Sequence, residues 1–219
     1  MTYLESRCQM IQDIQTIIKN YRPKPYGEQN EFAVLLPLIK INQEPHILYE
    51  VRGKSISQPG DTSFPGGRIE PGEKPREAAI RETMEELFIG PEQIIMFGPI
   101  DYIVRDWAII YCFVGEIINF DPYNFPSNDE VDHLFTVPLD FILANDPTYY
   151  SINIEERLSQ DFPFERIHRG KDYQFHRNRT QVPFYNLPLE TEEQLWGMTA
   201  NLTHRFAQIV NHNKRSKNE

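Results

Sequence analysis

Residues 64–89 read FPGGRIEPGEKPREAAIRETMEELFI, a glycine turn running into one short helix, and no other stretch constrains the chain as tightly. Phe64 precedes Pro65, so its backbone is pushed to an extended form and ends a strand or loop. Gly66 and Gly67 follow, where the chain can turn sharply and let a ligand approach the backbone. Pro75 suits the first turn of a helix, because the amide it lacks would be unpaired there. Gly90 and Pro91 mark the stop. The spacing predicts a helix over residues 75–88.

On that helix Ile80, Thr83, Met84 and Leu87 recur at i, i+3, i+4 and i+7, one mostly apolar stripe expected to face a core. Glu82, Glu85 and Glu86 share the i, i+3, i+4 relation and are expected on the opposite, outer face. Like charges so spaced repel by a few tenths of a kcal/mol per pair. A divalent cation with oxygen ligands would relieve that repulsion. On an arbitrary amphipathic helix, the same three glutamates would simply be a solvated acidic face.

The surroundings of the three glutamates decide between these readings. Gly67, Glu73, Arg81, Glu82, Glu85 and Glu86 stand in the register of the Nudix signature: Gly, five residues, Glu, seven residues, Arg-Glu, two residues, Glu-Glu. The segment therefore resembles the Nudix hydrolases. Thr83 stands where a larger aliphatic residue is usual, and Phe88 where the family has glycine, a role that Gly90 is expected to take over. The resemblance implies an α/β fold, a Nudix-type α/β/α sandwich with a mixed β-sheet. It also implies Mg²⁺ or Mn²⁺ held by Glu82, Glu85 and Glu86 with the Gly66 carbonyl. Arg81 and Glu73 are then an orienting layer behind the ligands. The base that takes a proton from water is either Glu82 or a residue of a distal loop such as Glu130.

Upstream, residues 52–67 run RGKSISQPGDTSFPGG, and downstream stand the 128–131 turn NDEV, FTVPL at 135–139 and LWGMTA at 195–200. These resemble the coenzyme A diphosphatases within the Nudix hydrolases, over roughly residues 32–210, nearly the whole chain. By that resemblance Arg52, Gly60, Phe64 and Gly67 line the substrate, a small molecule with a diphosphate. The family usually has a second basic residue after the first arginine, but Ile56, Ser57 and Gln58 fill that region here. Hydrolysis of ADP-ribose or NADH is the alternative, and a non-catalytic binding module a third reading that has no need of the three glutamates.

Elsewhere the patterning gives a first helix from Leu4, Cys8, Ile11, Ile14, Ile18 and Tyr21, stopped near Pro23. Strands are expected at 32–39, 47–52, 96–104, 107–118 and 131–137, with weaker ones at 173–177 and 182–185. A short helix is expected at 138–145, and a long closing helix over 191–210, capped at Thr191. The domain plan is a helical extension at 1–22, a hydrolase domain at 30–212 and a flexible tail at 213–219. A basic cluster lies at Arg166, His168, Arg169, Lys171, His176, Arg177 and Arg179, read most simply as the outer face of a hairpin around Gly170. Aromatic residues at 149–150, 162–164 and 173–175 could line a groove for a pantetheine arm, although aromatics more often fill a core.

Composition narrows the partners. A net charge of −10 over 219 residues argues against broad binding to nucleic acid or to anionic membranes. The two cysteines, Cys8 and Cys112, make neither a metal spacing nor a disulfide framework. No secretory signal or apolar span of membrane length is found, so a cytoplasmic location is expected. The apolar stripe of the first helix leaves a homodimer open.

Overall fold

In the computed structural model, residues 3–154, 158–173, 179–188 and 190–215 are described, with no account of the side chains of 3–9, 179, 214 and 215. Helix α1 covers Tyr3–Asn20, and strands β1 (Asn30–Ile41) and β2 (Glu44–Arg52) form a hairpin. Asn42 and Gln43 close it with φ of 51° and 70°, two left-handed residues whose twist suits a tight two-residue turn. Short strands β3 (Thr62–Ser63) and β4 (Gly66–Arg68) pair with β2 and β1. Helix α2 runs Pro75–Leu87, followed by β5 (Ile94–Pro99), β6 (Ile103–Val104), β7 (Ala108–Ile117) and β8 (Val131–Pro138). Then come α3 (Leu139–Ala144), β9 (Thr148–Asn153), β10 (Arg179–Tyr185), β11 (Leu195–Trp196) and α4 (Gly197–Arg215).

Strands β1 to β8 make one sheet, along the path β3-β2-β1-β7-β5 with β8 on β2. Only the central β1–β7 pair is parallel, so the sheet is mixed. Central strands are covered on both faces, which is why β7 reads as an almost unbroken apolar run. On one face Ala33, Leu35 and Phe113 pack against Ala78 and Ala79 of α2, and Ile39 and Leu48 against Leu87. On the other, Leu36, Ile47, Tyr49 and Val137 meet Ile142 of α3 and Leu202 and Phe206 of α4. This is the expected α/β/α sandwich. A second sheet, β11-β10-β9, lies beside it.

The structure revises five local expectations. The closing helix begins at Gly197, because Leu195 and Trp196 first pair with Tyr185 and Phe184 as a strand. The segment 96–104 is two strands, split where Ile100 leaves β5 and donates its amide to Cys112. Strand β9 went unforeseen, since every residue in it is exposed and it shows no buried alternation. Residues 164–172 form short 3-10 turns rather than a hairpin, and the strand expected at 173–177 falls mostly outside the described residues. Finally, Phe88 itself caps α2 in the left-handed conformation (φ 53°, ψ 44°), so Gly90 does not do that work. In α1 the apolar side chains from Met10 to Ile18 are exposed, as is Tyr21 just after it.

Candidate active site

Helix α2 does not divide its faces as its periodicity suggests. The buried set is Ala78, Ala79, Thr83, Glu86 and Leu87, while Ile80 and Met84 are half-buried. The two alanines let the helix approach β1 closely, and that brings Glu82 and Glu86 inward to the Gly66–Gly67 turn. Glu86 is 8% exposed, and its Oε2 accepts the Gly66 amide at 2.7 Å. Gly67 lies so near Glu82 that a Cβ there would fall 2.3 Å from the Glu82 Cδ. Glu85 alone of the three faces solvent. Both glycines are therefore required by close approach, and the outer-face placement is corrected for two of the three glutamates.

Arg81 knits this face together. Its Nε and Nη2 bind the two oxygens of Glu73 at 2.9 and 3.1 Å, a bidentate pair. Its Nη1 donates to Glu82 at 2.9 Å and to Glu85 at 3.3 Å, and Nη2 also reaches the Arg68 carbonyl. Hydrogen bonds from Arg81, and the Glu70 amide, hold the Glu73 carboxyl below the usual range. Glu73 and Arg81 thus form a hydrogen-bonded layer against Glu82 and Glu85.

Electrostatics set the inner carboxyls apart. Burial pushes Glu86 up to about 8, with Glu82 and Glu130 adding to the rise against the Gly66 hydrogen bond and Arg52. Burial also raises Glu82, which Arg81 partly offsets. Glu130, on the 128–131 turn, is exposed and acts on both. That turn is fixed by Asn128, whose Nδ2 donates to the Glu86 carbonyl at 3.0 Å while its Oδ1 accepts the amides of Glu130 and Val131. Glu82, Glu86 and Glu130 come together from two distant segments, and Glu85 stands to the side. Among the described residues no three carboxylate, imidazole or thiolate groups form a ready-made metal cage.

Beside the glycine turn opens a cleft of about 390 Å³. Phe32, Arg105 and Trp107 line one wall, with Phe32 and Trp107 edge to face at 6.4 Å. Trp196, Met198 and Thr199 line the other. Thr199 Oγ1 donates to the Thr62 carbonyl at 2.9 Å, and Thr62 Oγ1 to the Gln194 carbonyl at 2.7 Å, which anchors α4 to β3. Arg52 and Phe64 border the same cleft. Phe64 is buried and stacks on Tyr49, so it supports the floor. Arg52 donates Nε to the Ser57 carbonyl at 2.8 Å and Nη2 to Ser57 Oγ at 3.2 Å, holding the 53–60 loop. Gly60 does not line the cleft; with φ of 82° it turns the chain so that its amide reaches the Arg52 carbonyl. The expected groove aromatics at 149–150 and 162–164 lie elsewhere.

Sequence reasoning missed Glu50, Asn128 as an anchor, and the cleft residues Arg105, Trp107 and Trp196. Glu50 had a signal of its own, since it is the one charge inside the buried run Ile47–Val51 of β2. The aromatic walls carried none, because segments far apart in sequence bring them together.

The NUDIX domain matches residues 37–181, more than half of the chain, which therefore belongs to the Nudix hydrolases. It is similar to Nudix hydrolase 3 of Caenorhabditis elegans, at 24% identity over 94% of this chain and 85% of that protein. It is also similar to the peroxisomal coenzyme A diphosphatase NUDT7 of Mus musculus, at 32% identity over 58% of this chain and 54% of that protein. The mitochondrial coenzyme A diphosphatase NUDT8 of Homo sapiens is 28% identical over 81% of this chain and 68% of its own length. The chain is a hydrolase of phosphoanhydride bonds in a nucleoside diphosphate derivative. Among the described residues no helix is long and apolar enough to cross a membrane.

Proposed function

We propose that this hydrolase cleaves the diphosphate of coenzyme A or an acyl derivative, using Mg²⁺ or Mn²⁺, to 3′,5′-ADP and 4′-phosphopantetheine. The observation that carries the reading is the adjacency of two inward carboxyls, Glu82 and Glu86, to a cleft of nucleotide size that Arg52 borders. Volumes of about 300–1,000 Å³ are usual for small-molecule sites. The relatives named coenzyme A diphosphatases support the choice of substrate.

The residues fit a hard divalent cation. Their donors are all oxygen, and the buried Glu50 Oε1 beside them lacks a hydrogen-bond partner. Magnesium is commonly held by one or two carboxylates, with waters and substrate phosphate completing the shell, so no closed protein cage is needed. Such an ion neutralises phosphate charge and makes a bound water more acidic. Glu82 and Glu86 hold it, Glu85 adding a ligand from the solvent side. Arg81 fixes the direction of Glu82, and Arg52 meets the substrate phosphates. Either Glu82 or Glu130 takes the proton of the attacking water.

ADP-ribose or NADH is the second reading. Arg52 and Arg105 are the only cations lining the cleft among the described residues, whereas coenzyme A carries a 3′-phosphate as well as its diphosphate. Phosphate release from coenzyme A, ADP-ribose, NADH and nucleoside triphosphates with Mg²⁺ or Mn²⁺ tests both. Fastest turnover of coenzyme A is expected, and preference for ADP-ribose or NADH overturns the substrate assignment.

A further inference from the structure

Strand β2 carries a carboxyl that no part of the signature marks. Glu50 is 2% exposed, and its Oε1 is buried without a hydrogen-bond partner. Alternation along the strand puts it on the face of Leu48, which packs against Leu87 of α2. It therefore points to the side of the sheet from which Glu86 approaches. Glu86 and Glu130 both lie near enough to act on its charge. Of its neighbours, only Arg52 favours the charge. Yet Arg52 gives its hydrogen bonds to Ser57 and makes no ion pair with Glu50. Arg81 is likewise committed, to Glu73, Glu82 and Glu85.

A packing role does not account for this residue. Ile47, Leu48, Tyr49 and Val51 around it are buried and apolar, and an apolar side chain at position 50 would fill the space without an orphaned oxygen. What the arrangement lacks is positive charge between two acidic side chains from different elements. We propose that Glu50 is a ligand of a divalent cation lodged between β2 and α2, which it shares with Glu86. The proposal rests on the metal-dependent reading above and adds a ligand from outside the signature helix. Two carboxylates with open positions for water or phosphate suit Mg²⁺ or Mn²⁺. The sheet side of the ion is then fixed by a strand rather than by a loop, which holds it at a set depth under the cleft.

Mn²⁺ binding to the full chain, read by electron paramagnetic resonance of the free ion, tests this without reference to turnover. Glu50→Gln keeps the shape and removes the charge, and is expected to weaken Mn²⁺ at least tenfold. The rise in melting temperature on adding Mn²⁺ should shrink with it. Equal binding by wild type and Glu50→Gln overturns the inference and leaves the metal-dependent reading standing. A wild-type chain that binds no Mn²⁺ overturns both. Should the variant not fold, anomalous diffraction from wild-type crystals soaked in Mn²⁺ decides the matter. An ion within about 2.5 Å of a Glu50 oxygen is the expected result, and none there refutes the assignment.

Discussion

The carboxylate of Glu82 occupies the space that a side chain on Gly67 would need, with its Cδ 2.3 Å from the ideal Cβ position. At Gly66 the obstacle is different. There a Cβ would meet the Ala33 carbonyl oxygen at 2.4 Å and the Val34 Cα at 2.6 Å, both backbone of the central strand. Gly67→Ala should therefore fold, with Glu82 swung aside, and lose most of its turnover. Gly66→Ala should lower the melting temperature markedly, because β1 cannot yield. Thermal melts and kcat of the two variants separate these outcomes, and a Gly67→Ala enzyme of normal kcat would remove Glu82 from the site.

Glu86→Gln removes the most buried of the three signature carboxyls while keeping its shape. Lewis-acid assistance by a metal ion is worth several kcal/mol, and each 1.36 kcal/mol is tenfold in rate. Metal-dependent kcat/KM should accordingly fall by about 100-fold or more, with the circular dichroism spectrum unchanged. Turnover like that of the wild type would contradict the role given to Glu86.

Phe88 holds a left-handed conformation that costs a non-glycine residue about 1–2 kcal/mol. Against that stands a stacked contact with Phe125, centroids 6.2 Å apart, of a kind worth about 0.5–1.5 kcal/mol. The two nearly cancel, so Phe88→Gly should leave stability within about 1 kcal/mol of wild type. In a Phe125→Ala background only the strain remains to be relieved, and the same change should stabilise by about 1 kcal/mol. Urea unfolding of the four proteins in the cycle measures the difference.

His133 binds Asp132 through Nδ1 at 2.8 Å and Glu193 through Nε2 at 2.9 Å. Partial burial works against its charge, but the two carboxylate contacts outweigh it and raise the ring above its usual value of 6.5. A raised histidine stabilises the fold fully below about pH 6.5 and loses that contribution as pH rises through its folded-state value. Glu193→Gln should lower the His133 titration midpoint seen by NMR. Its melting temperature should trail that of wild type at pH 6 and converge with it at higher pH. A constant gap across that range would refute the linkage.

How far the sequence exposes this molecule depends on whether a signal is local. The Gly66-Gly67 turn and the extent of α2 are short-range, and the spacing of residues 64–89 carries them, whereas the grouping of Arg81 with Glu73 comes from the resemblance to the Nudix signature. The inward turn of Glu82 and Glu86 is not local. It follows from Ala78 and Ala79 letting the helix sink against β1, where period alone ranks alanine below Ile80 and Met84. Likewise Thr191 and the acidic residues after it mimic a helix start, yet Leu195 and Trp196 gain more by pairing with β10. Glu50 is legible as the single charge in an otherwise apolar run, but nothing local says that α2 brings Glu86 to the same face of that strand.

Asn128 has a consequence for how the active site responds to its substrate. One amide group binds the carbonyl of Glu86 on one side and the amides of Glu130 and Val131 on the other. Two acidic residues more than 40 positions apart are thereby assembled by the protein's own hydrogen bonds. The backbone of the 128–131 turn is thus tied to the signature helix at folding and does not wait for a ligand. Whatever adjustment a substrate calls for falls to the exposed Glu130 side chain, while the chain that carries it stays where Asn128 holds it.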